Sequence, residues 1–271
     1  MKARRNRYFS EIEELNRIFE NGSLHPVFQP ILQINNSEIF GFEGLARGPE
    51  TGLLHLPAQL FAAGNRAGLL IELEMLCCRK VVRQFARLDT RGSLFLNVSP
   101  QTVLWVREDV ERISNFIVDC GMQIAQTVIE LAEHQNITDH STFREALKLF
   151  RSAGFRVAID DLGEGFSSLR LWSELRPDFV KIDIHFVQGI SRDPLKYQFL
   201  KSLQQIAQRC ETKLVAEGVE DIDDFRVLRD LGISYAQGYL IERPSKEPRA
   251  IASPAAAGFL LGGLLAGQQR A

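Results

Sequence analysis

Asp160 and Asp161 stand side by side after the apolar run Arg156-Val157-Ala158-Ile159, directly before Leu162-Gly163-Glu164-Gly165-Phe166-Ser167-Ser168. Two adjacent carboxylates at a strand end suit a divalent cation, although a single such pair could equally be an N-cap and a solvated turn residue. Repetition separates the two readings. Glu43 lies in Gly41-Phe42-Glu43-Gly44-Leu45, Asn97 in Phe95-Leu96-Asn97-Val98-Ser99, Glu130 in Val128-Ile129-Glu130-Leu131, and Glu217 in Val215-Ala216-Glu217-Gly218. Lys181 and Asp183 occupy Val180-Lys181-Ile182-Asp183, and Gln237 occupies Ala236-Gln237-Gly238-Tyr239.

Polar residues inside apolar strands are costly to bury unless they are paired or bind metal. One of them alone reads as a satisfied structural hydrogen bond. A polar residue closing most of the strands points instead to one shared site. Glu43, Asn97, Glu130, Asp160, Asp161 and Glu217 are all oxygen donors, the preference of Mg²⁺ and Mn²⁺. So many acids imply two ions, and paired ions stabilise the attacking and leaving oxygens of an in-line displacement at phosphorus. The chemistry indicated is phosphoester hydrolysis.

Eight β-rich runs position these residues: Val27 to Leu32, Ile39 to Leu45, Leu94 to Val98, Thr127 to Leu131, Arg156 to Ile159, Phe179 to Ile184, Lys213 to Ala216 and Tyr235 to Ile241. Helical periodicity fills Leu69 to Leu88, Pro100 to Cys120, Ser141 to Ala153, Pro194 to Cys210 and Ile222 to Leu231. This alternation predicts an α/β fold with a parallel sheet. Only Gln33-Ile34-Asn35-Asn36-Ser37-Glu38 separates the first two runs, too short for a parallel crossover. The expectation is a TIM-like (β/α)8 barrel with an antiparallel first strand, its catalytic groups at the C-terminal strand ends. Residues 1–20, with Phe9, Ile12, Leu15, Ile18 and Phe19 at helical spacing, form a helix packed on one barrel end. Residues 21–250 form the barrel, and 251–271 a C-terminal helix or tail.

At 271 residues the chain fits one α/β barrel domain. Its net charge of -2 gives no field favouring DNA, RNA or membrane surfaces, so an anionic ligand must be held locally. Cys77, Cys78, Cys120 and Cys210 lack C-x-x-C spacing and read as reduced cytoplasmic thiols. The five histidines show no zinc-binding spacing. The basic start Met1-Lys2-Ala3-Arg4-Arg5 lacks the apolar core of an export signal. The apolar stretch Ala255 to Ala266 falls short of the ~20 residues that cross a bilayer.

Across roughly residues 20 to 250 the chain resembles EAL-domain cyclic-di-GMP phosphodiesterases. The motifs that carry the resemblance are Phe28-Gln29-Pro30, Glu43-Gly44-Leu45 with Arg47, Asn97-Val98-Ser99, Glu130-Leu131-Ala132-Glu133, Asp160-Asp161-Leu162-Gly163, Lys181-Ile182-Asp183, Ala216-Glu217-Gly218-Val219-Glu220 and Gln237-Gly238-Tyr239. The resemblance implies bacterial second-messenger signalling by hydrolysis of cyclic di-GMP to linear pGpG. It assigns metal binding to Glu43, Asn97, Glu130, Asp160, Asp161 and Glu217, with Glu217 also activating water and Lys181 orienting it or stabilising phosphate charge. Arg47 resembles the substrate-phosphate contact, and its planar fork of donors suits that role. A surface ion pair is its plainer reading. Gln29 and Gln237 fall on the substrate side, although a hairpin hydrogen bond also explains Gln29. Glu133 resembles a brace for the loop after the fifth strand, against a helix-entry charge. Glu220, like Gln237, would hold ligands and water in place, while Asp183 supports the site or merely pairs with Lys181. A homodimer through the helices near that loop is also implied.

The chain departs from the family pattern in several places. Glu-Gly-Leu replaces Glu-Ala-Leu, which removes only a methyl. Ala46-Arg47-Gly48 replaces Leu-Arg and an aromatic residue. Leu162, Glu164 and Phe166 stand where Phe, Thr and Tyr are usual. Glu164 adds negative charge near a site that must accept a phosphodiester, so reduced turnover is expected. A non-catalytic or weakly catalytic cyclic-di-GMP receptor is therefore the alternative. A Schiff-base aldolase built on Lys181 is disfavoured, because neighbouring acids keep an ammonium protonated.

Overall fold

The structure, a computed structural model, describes residues 2–88, 90–132, 139–163 and 168–248. The strands are β1 (His25–Gln33), β2 (Glu38–Arg47), β3 (Ser93–Asn97), β4 (Thr127–Ala132), β5 (Arg156–Leu162), β6 (Phe179–Ile182), β7 (Lys213–Ala216) and β8 (Tyr235–Ala236). They close into a barrel in sequence order. β1 runs antiparallel to both β2 and β8, and all other neighbours are parallel. The reversed first strand expected from the short link is present. Its turn is closed locally, with the Glu38 amide donating to Asn36 Oδ1 at 3.2 Å and Ser37 at φ 60°.

The helices are α1 (Lys2–Asn21), α2 (Pro57–Arg66), α3 (Leu70–Arg87), α4 (Pro100–Val106), α5 (Val110–Asp119), α6 (His140–Ser152), α7 (Ser168–Leu175), α8 (Ile184–Val187), α9 (Pro194–Cys210) and α10 (Ile222–Asp230). Three expectations need correction. The sixth strand ends at Ile182, because Asp183 caps a helix that begins at Ile184. The helix foreseen over Pro100 to Cys120 is two helices separated by a 3₁₀ turn at Arg107–Asp109, where the Arg107 guanidinium donates to the Leu104 carbonyl. The last strand stops at Ala236 and does not run to Ile241. There Gly238 lies so close to the Val219 backbone that a Cβ would collide with it, and the chain turns through Ile241 N–H to Gly238 O.

Side chains alternate across a strand, so residues two apart share a face. The barrel interior holds Ile31, Phe95, Val128, Ala158, Phe179, Val215 and Tyr235, with Phe40 against them. Six of these lie two residues before Asn97, Glu130, Asp160, Lys181, Glu217 and Gln237. Ile31, on the reversed β1, lies two residues after Gln29. An apolar layer therefore fills the barrel, and the next inward-facing position is polar on every strand but β2, where the β1–β2 register shifts beside Phe40 and Glu43 lies three residues on.

The helix α1 buries Leu15 and Ile18 with Leu24, Ala46, Leu60 and Leu73, which places it beside α2, α3 and the end of β2 on the barrel flank. It does not contribute to the cluster inside the barrel. The segment 251–271 lies outside the described residues.

Candidate active site

Lys181 is the hub of the polar layer. Its side chain is 1% exposed, and its ammonium lies 2.6 Å from Glu130, 2.8 Å from Glu217, 3.1 Å from Asp160 and 3.2 Å from Glu43. Asn97 Nδ2 donates to Glu43 Oε1 at 2.9 Å, and Gln237 Nε2 to Glu43 Oε2 at 2.6 Å. Gln237 also donates to Gln29 Oε1 at 3.0 Å, across the end of the barrel where β1 meets β8. Residues from β1 to β6 and from the ends of β7 and β8 thus converge on one cluster.

The electrostatics are lopsided, because one ammonium faces four carboxylates. Burial disfavours the Lys181 charge, but the surrounding acids hold its pKa well above the ordinary value. Burial raises Glu130 and Glu217 well above the usual carboxylate range, and Lys181 offsets this only in part. Glu43 goes the other way: burial opposes ionisation, but Lys181 and the hydrogen bonds from Asn97 and Gln237 outweigh it and lower its pKa. Glu130 Oε2 is buried with no hydrogen-bond partner among the described residues.

Asp160 and Asp161 are the position where the backbone departs from regular geometry. In an unbroken strand, consecutive side chains point to opposite faces. Here the β5–β6 register shifts between Ile159 and Leu162, and Asp161 takes the left-handed conformation at φ 55°. Such irregularities re-aim side chains beside active sites. The result is that carboxylate oxygens from Asp160, Asp161 and Glu217 lie within 4.8 Å of one another. Hard oxygen donors at this spacing, an excess of negative charge and an orphaned buried carboxylate oxygen fit divalent cations of the Mg²⁺ or Mn²⁺ type.

The cluster opens beside a cleft of about 330 Å³ lined by Glu43, Arg47, Glu74, Asn97 and Ser99. The Arg47 guanidinium donates to the Ala46 carbonyl at 3.0 Å and makes no ion pair among the described residues. Its position in the cleft wall leaves donors for an anion.

Glu74, on α3, was missed in the sequence. It is 6% exposed and accepts from the Ser99 amide at 3.0 Å and hydroxyl at 2.7 Å, while the same hydroxyl caps α4 by accepting from the Thr102 amide. It therefore holds the turn that follows Asn97. A buried acid in an amphipathic helix was its only sequence signal, because Ser99 lies 25 residues away.

Of the other expected residues, Asp183 and Glu220 sit apart from the cluster, and Gln29 meets its edge through Gln237. Asp183 does not pair with Lys181; it caps α8 by accepting from the His185 amide at 2.9 Å. Glu220 is exposed and makes no hydrogen bond or ion pair among the described residues. Gln29 donates to the Glu242 carbonyl at 3.4 Å, as well as accepting from Gln237. Glu133 and Glu164 lie outside the described residues.

Residues 12–244 match the family described as EAL domain. Among similar proteins, the probable cyclic di-GMP phosphodiesterase PdeI of Escherichia coli is 30% identical over 87% of this chain and 32% of its own length. PdeG of the same organism, a probable cyclic di-GMP phosphodiesterase, is 27% identical over 88% of this chain and 49% of its own. The chain thus spans half or less of the length of these relatives. A manganese and cyclic-di-GMP complex of Klebsiella pneumoniae BlrP1 superposes with a TM-score of 0.76 at 28% identity, covering 82% of this chain and 56% of that one. The Xanthomonas citri FimX EAL domain, solved with c-diGMP, shares the fold with a TM-score of 0.81 at 17% identity, over 92% of this chain and 98% of that one.

Proposed function

The chain belongs to the EAL domain family, and on that premise we propose that it hydrolyses cyclic di-GMP to linear pGpG with Mg²⁺ or Mn²⁺, two ions per site. The observation that carries the proposal is the approach of Asp160, Asp161 and Glu217 oxygens to within 4.8 Å beside the buried Lys181 hub. Glu43, Asn97, Glu130, Asp160, Asp161 and Glu217 would hold the ions. When bound, such ions polarise the phosphodiester and lower the pKa of water.

The protein's own groups do the rest. Glu217 takes the proton from the attacking water as the water oxygen bonds to phosphorus. The bond from phosphorus to the 3′ oxygen breaks, the departing 3′ oxygen takes up a proton from solvent to become a hydroxyl, and the 5′ phosphate of pGpG remains. Lys181, fixed as an ammonium, holds the acids in register and offsets the charge that gathers on the phosphoryl oxygens. Arg47 binds the non-reacting phosphate oxygens from the cleft wall. Gln237 and Gln29 keep Glu43 oriented.

Purified protein incubated with cyclic di-GMP and Mn²⁺ or Mg²⁺, with pGpG followed by chromatography, tests the proposal. Metal-dependent product that disappears in Glu217→Ala supports it. Binding without product in the parent protein supports the second reading, a receptor, which the altered residues Leu162, Glu164 and Phe166 favour. A homodimer belongs to the same proposal. Leu169, Ile184, Leu195 and Phe199 are exposed on α7, α8 and α9, and light scattering would measure the mass. Cytoplasmic placement agrees with the reduced cysteines; no described helix is long and apolar enough to cross a membrane.

A further inference from the structure

A second cavity, of about 260 Å³, lies between the helical layer and the outer face of the barrel. Its walls include Val82, Leu96, Val103, Ile117, Ile129 and Phe150, contributed by α3, β3, α4, α5, β4 and α6. Protein interiors are close-packed and seldom leave room larger than a water molecule. An apolar cavity of about 150 Å³ already accepts benzene, so this one has room for a longer apolar group.

Three arginines, Arg79 and Arg83 on α3 and Arg112 on α5, line the cavity and are also exposed, which places them at its rim. Arg112 has a loose contact with Asp109 at 3.9 Å. Arg79 and Arg83 have no ion-pair partner among the described residues, and the Arg83 guanidinium lies 5.4 Å over the Phe116 ring, itself part of the lining. Two threonines interrupt the apolar lining. Thr102 is satisfied by Ser99, but the fully buried Thr127 keeps its hydroxyl without a hydrogen-bond partner among the described residues.

An apolar chamber with a cationic rim is complementary to a molecule with an apolar tail and one anionic head. We propose that this cavity is a binding site for an anionic amphiphile of the fatty-acid class, its tail among Val82, Val103 and Ile117 and its carboxylate on Arg79 and Arg83. Guanidinium suits this role because it pairs with carboxylate through two parallel hydrogen bonds. Cys78, Leu96 and Val98 line both this cavity and the catalytic cleft, so a ligand here shares a wall with the strand that carries Asn97. The proposal does not depend on whether the chain hydrolyses cyclic di-GMP.

Calorimetric titration with decanoate below its micelle concentration, alongside 1-decanol and decyltrimethylammonium, tests the proposal on the full chain. Decanoate should bind once per chain, and the cationic analogue should not bind. Arg79→Gln with Arg83→Gln should weaken decanoate about tenfold, the scale of a lost charge-assisted hydrogen bond, and leave decanol unchanged. Ile113→Trp, which fills the cavity, should abolish binding of both. Circular dichroism verifies that each variant folds, and the arginine pair, being exposed, decides the matter even if Ile113→Trp misfolds. Absence of saturable decanoate binding, equal binding of the cationic analogue, or indifference to the arginine substitutions would overturn the proposal.

Discussion

Val81 occupies the space that a methyl group on Gly44 would need: a Cβ built on Gly44 would collide with Val81 Cγ1. The middle residue of the Glu43-Gly44-Leu45 signature thus packs directly against a side chain on α3, which fills the space a methyl at position 44 would take. Gly48 is constrained in the same way by the Leu54 backbone, so the aromatic residue usual in the family has no room there. Gly44→Ala should destabilise the fold by about 1–3 kcal/mol through overpacking. Adding Val81→Ala should recover part of that loss, as urea denaturation of the four members of the cycle would show. A Gly44→Ala protein as stable as the parent would contradict the packing described.

Glu74 carries a prediction that separates support from chemistry. Glu74→Ala leaves the buried Ser99 amide and hydroxyl without their acceptor, a cost of about 1–3 kcal/mol. Because Ser99 follows Asn97 by two residues, metal affinity should also fall, by about 10–100-fold, the range seen when partners of metal ligands are removed. Glu74→Gln, which keeps an acceptor, should restore much of both. Isothermal titration with Mn²⁺ measures the affinity, and an unchanged value would rule out the supporting role.

Lys181 should be needed most when metal is absent. Lys181→Met leaves four carboxylates, Glu43 and Glu130 buried and Asp160 and Glu217 partly so, without their counter-charge, and breaking a buried ion pair costs about 3–5 kcal/mol. In chelator the variant should melt well below the parent, and Mn²⁺ should close most of that gap. Activity should stay at least about 10²-fold down even with metal, because the charge over the phosphoryl oxygens is gone. Equal melting temperatures in chelator would contradict the hub.

The pH dependence follows from the same cluster. Glu130 and Glu217 have folded pKa values above the ordinary value of about 4.3, so their contribution to stability is complete below that value and is lost as pH rises through the folded values. Glu43, shifted down, acts oppositely and loses its contribution only in acid. Lys181, shifted up, loses its contribution only as strongly alkaline pH is reached. Metal binding requires ionised carboxylates. The rise in melting temperature caused by Mn²⁺ should therefore grow from mildly acid to mildly alkaline pH in differential scanning fluorimetry. A rise independent of pH would place the ions elsewhere.

Glu164 is a prediction from sequence alone. Replacing its charge by Thr, the residue usual in the family at that place, should raise cyclic-di-GMP turnover severalfold under saturating metal. No change in either turnover or substrate affinity would remove the charge as a reason for slow catalysis.

Residue types and their periods were enough, without coordinates, to predict eight strands, a reversed first strand and a ring of carboxylates with one amide and one lysine. Those features are local: a six-residue link cannot carry a parallel crossover, and a two-residue period places Glu130 above Val128 and Lys181 above Phe179 on one face. What local rules could not reach was decided by residues distant in the chain. Asp160 and Asp161 should face opposite ways by alternation; a register shift and a left-handed φ bring both to Glu217. The end of β8 depends on the Val219 backbone against Gly238, and the Glu74 contact and the packing of Val81 on Gly44 depend on how α3 lies over β2 and β3. Composition and period specify which face a side chain takes, but only the closed barrel sets the distances at which Lys181 meets four acids drawn from β2, β4, β5 and the end of β7.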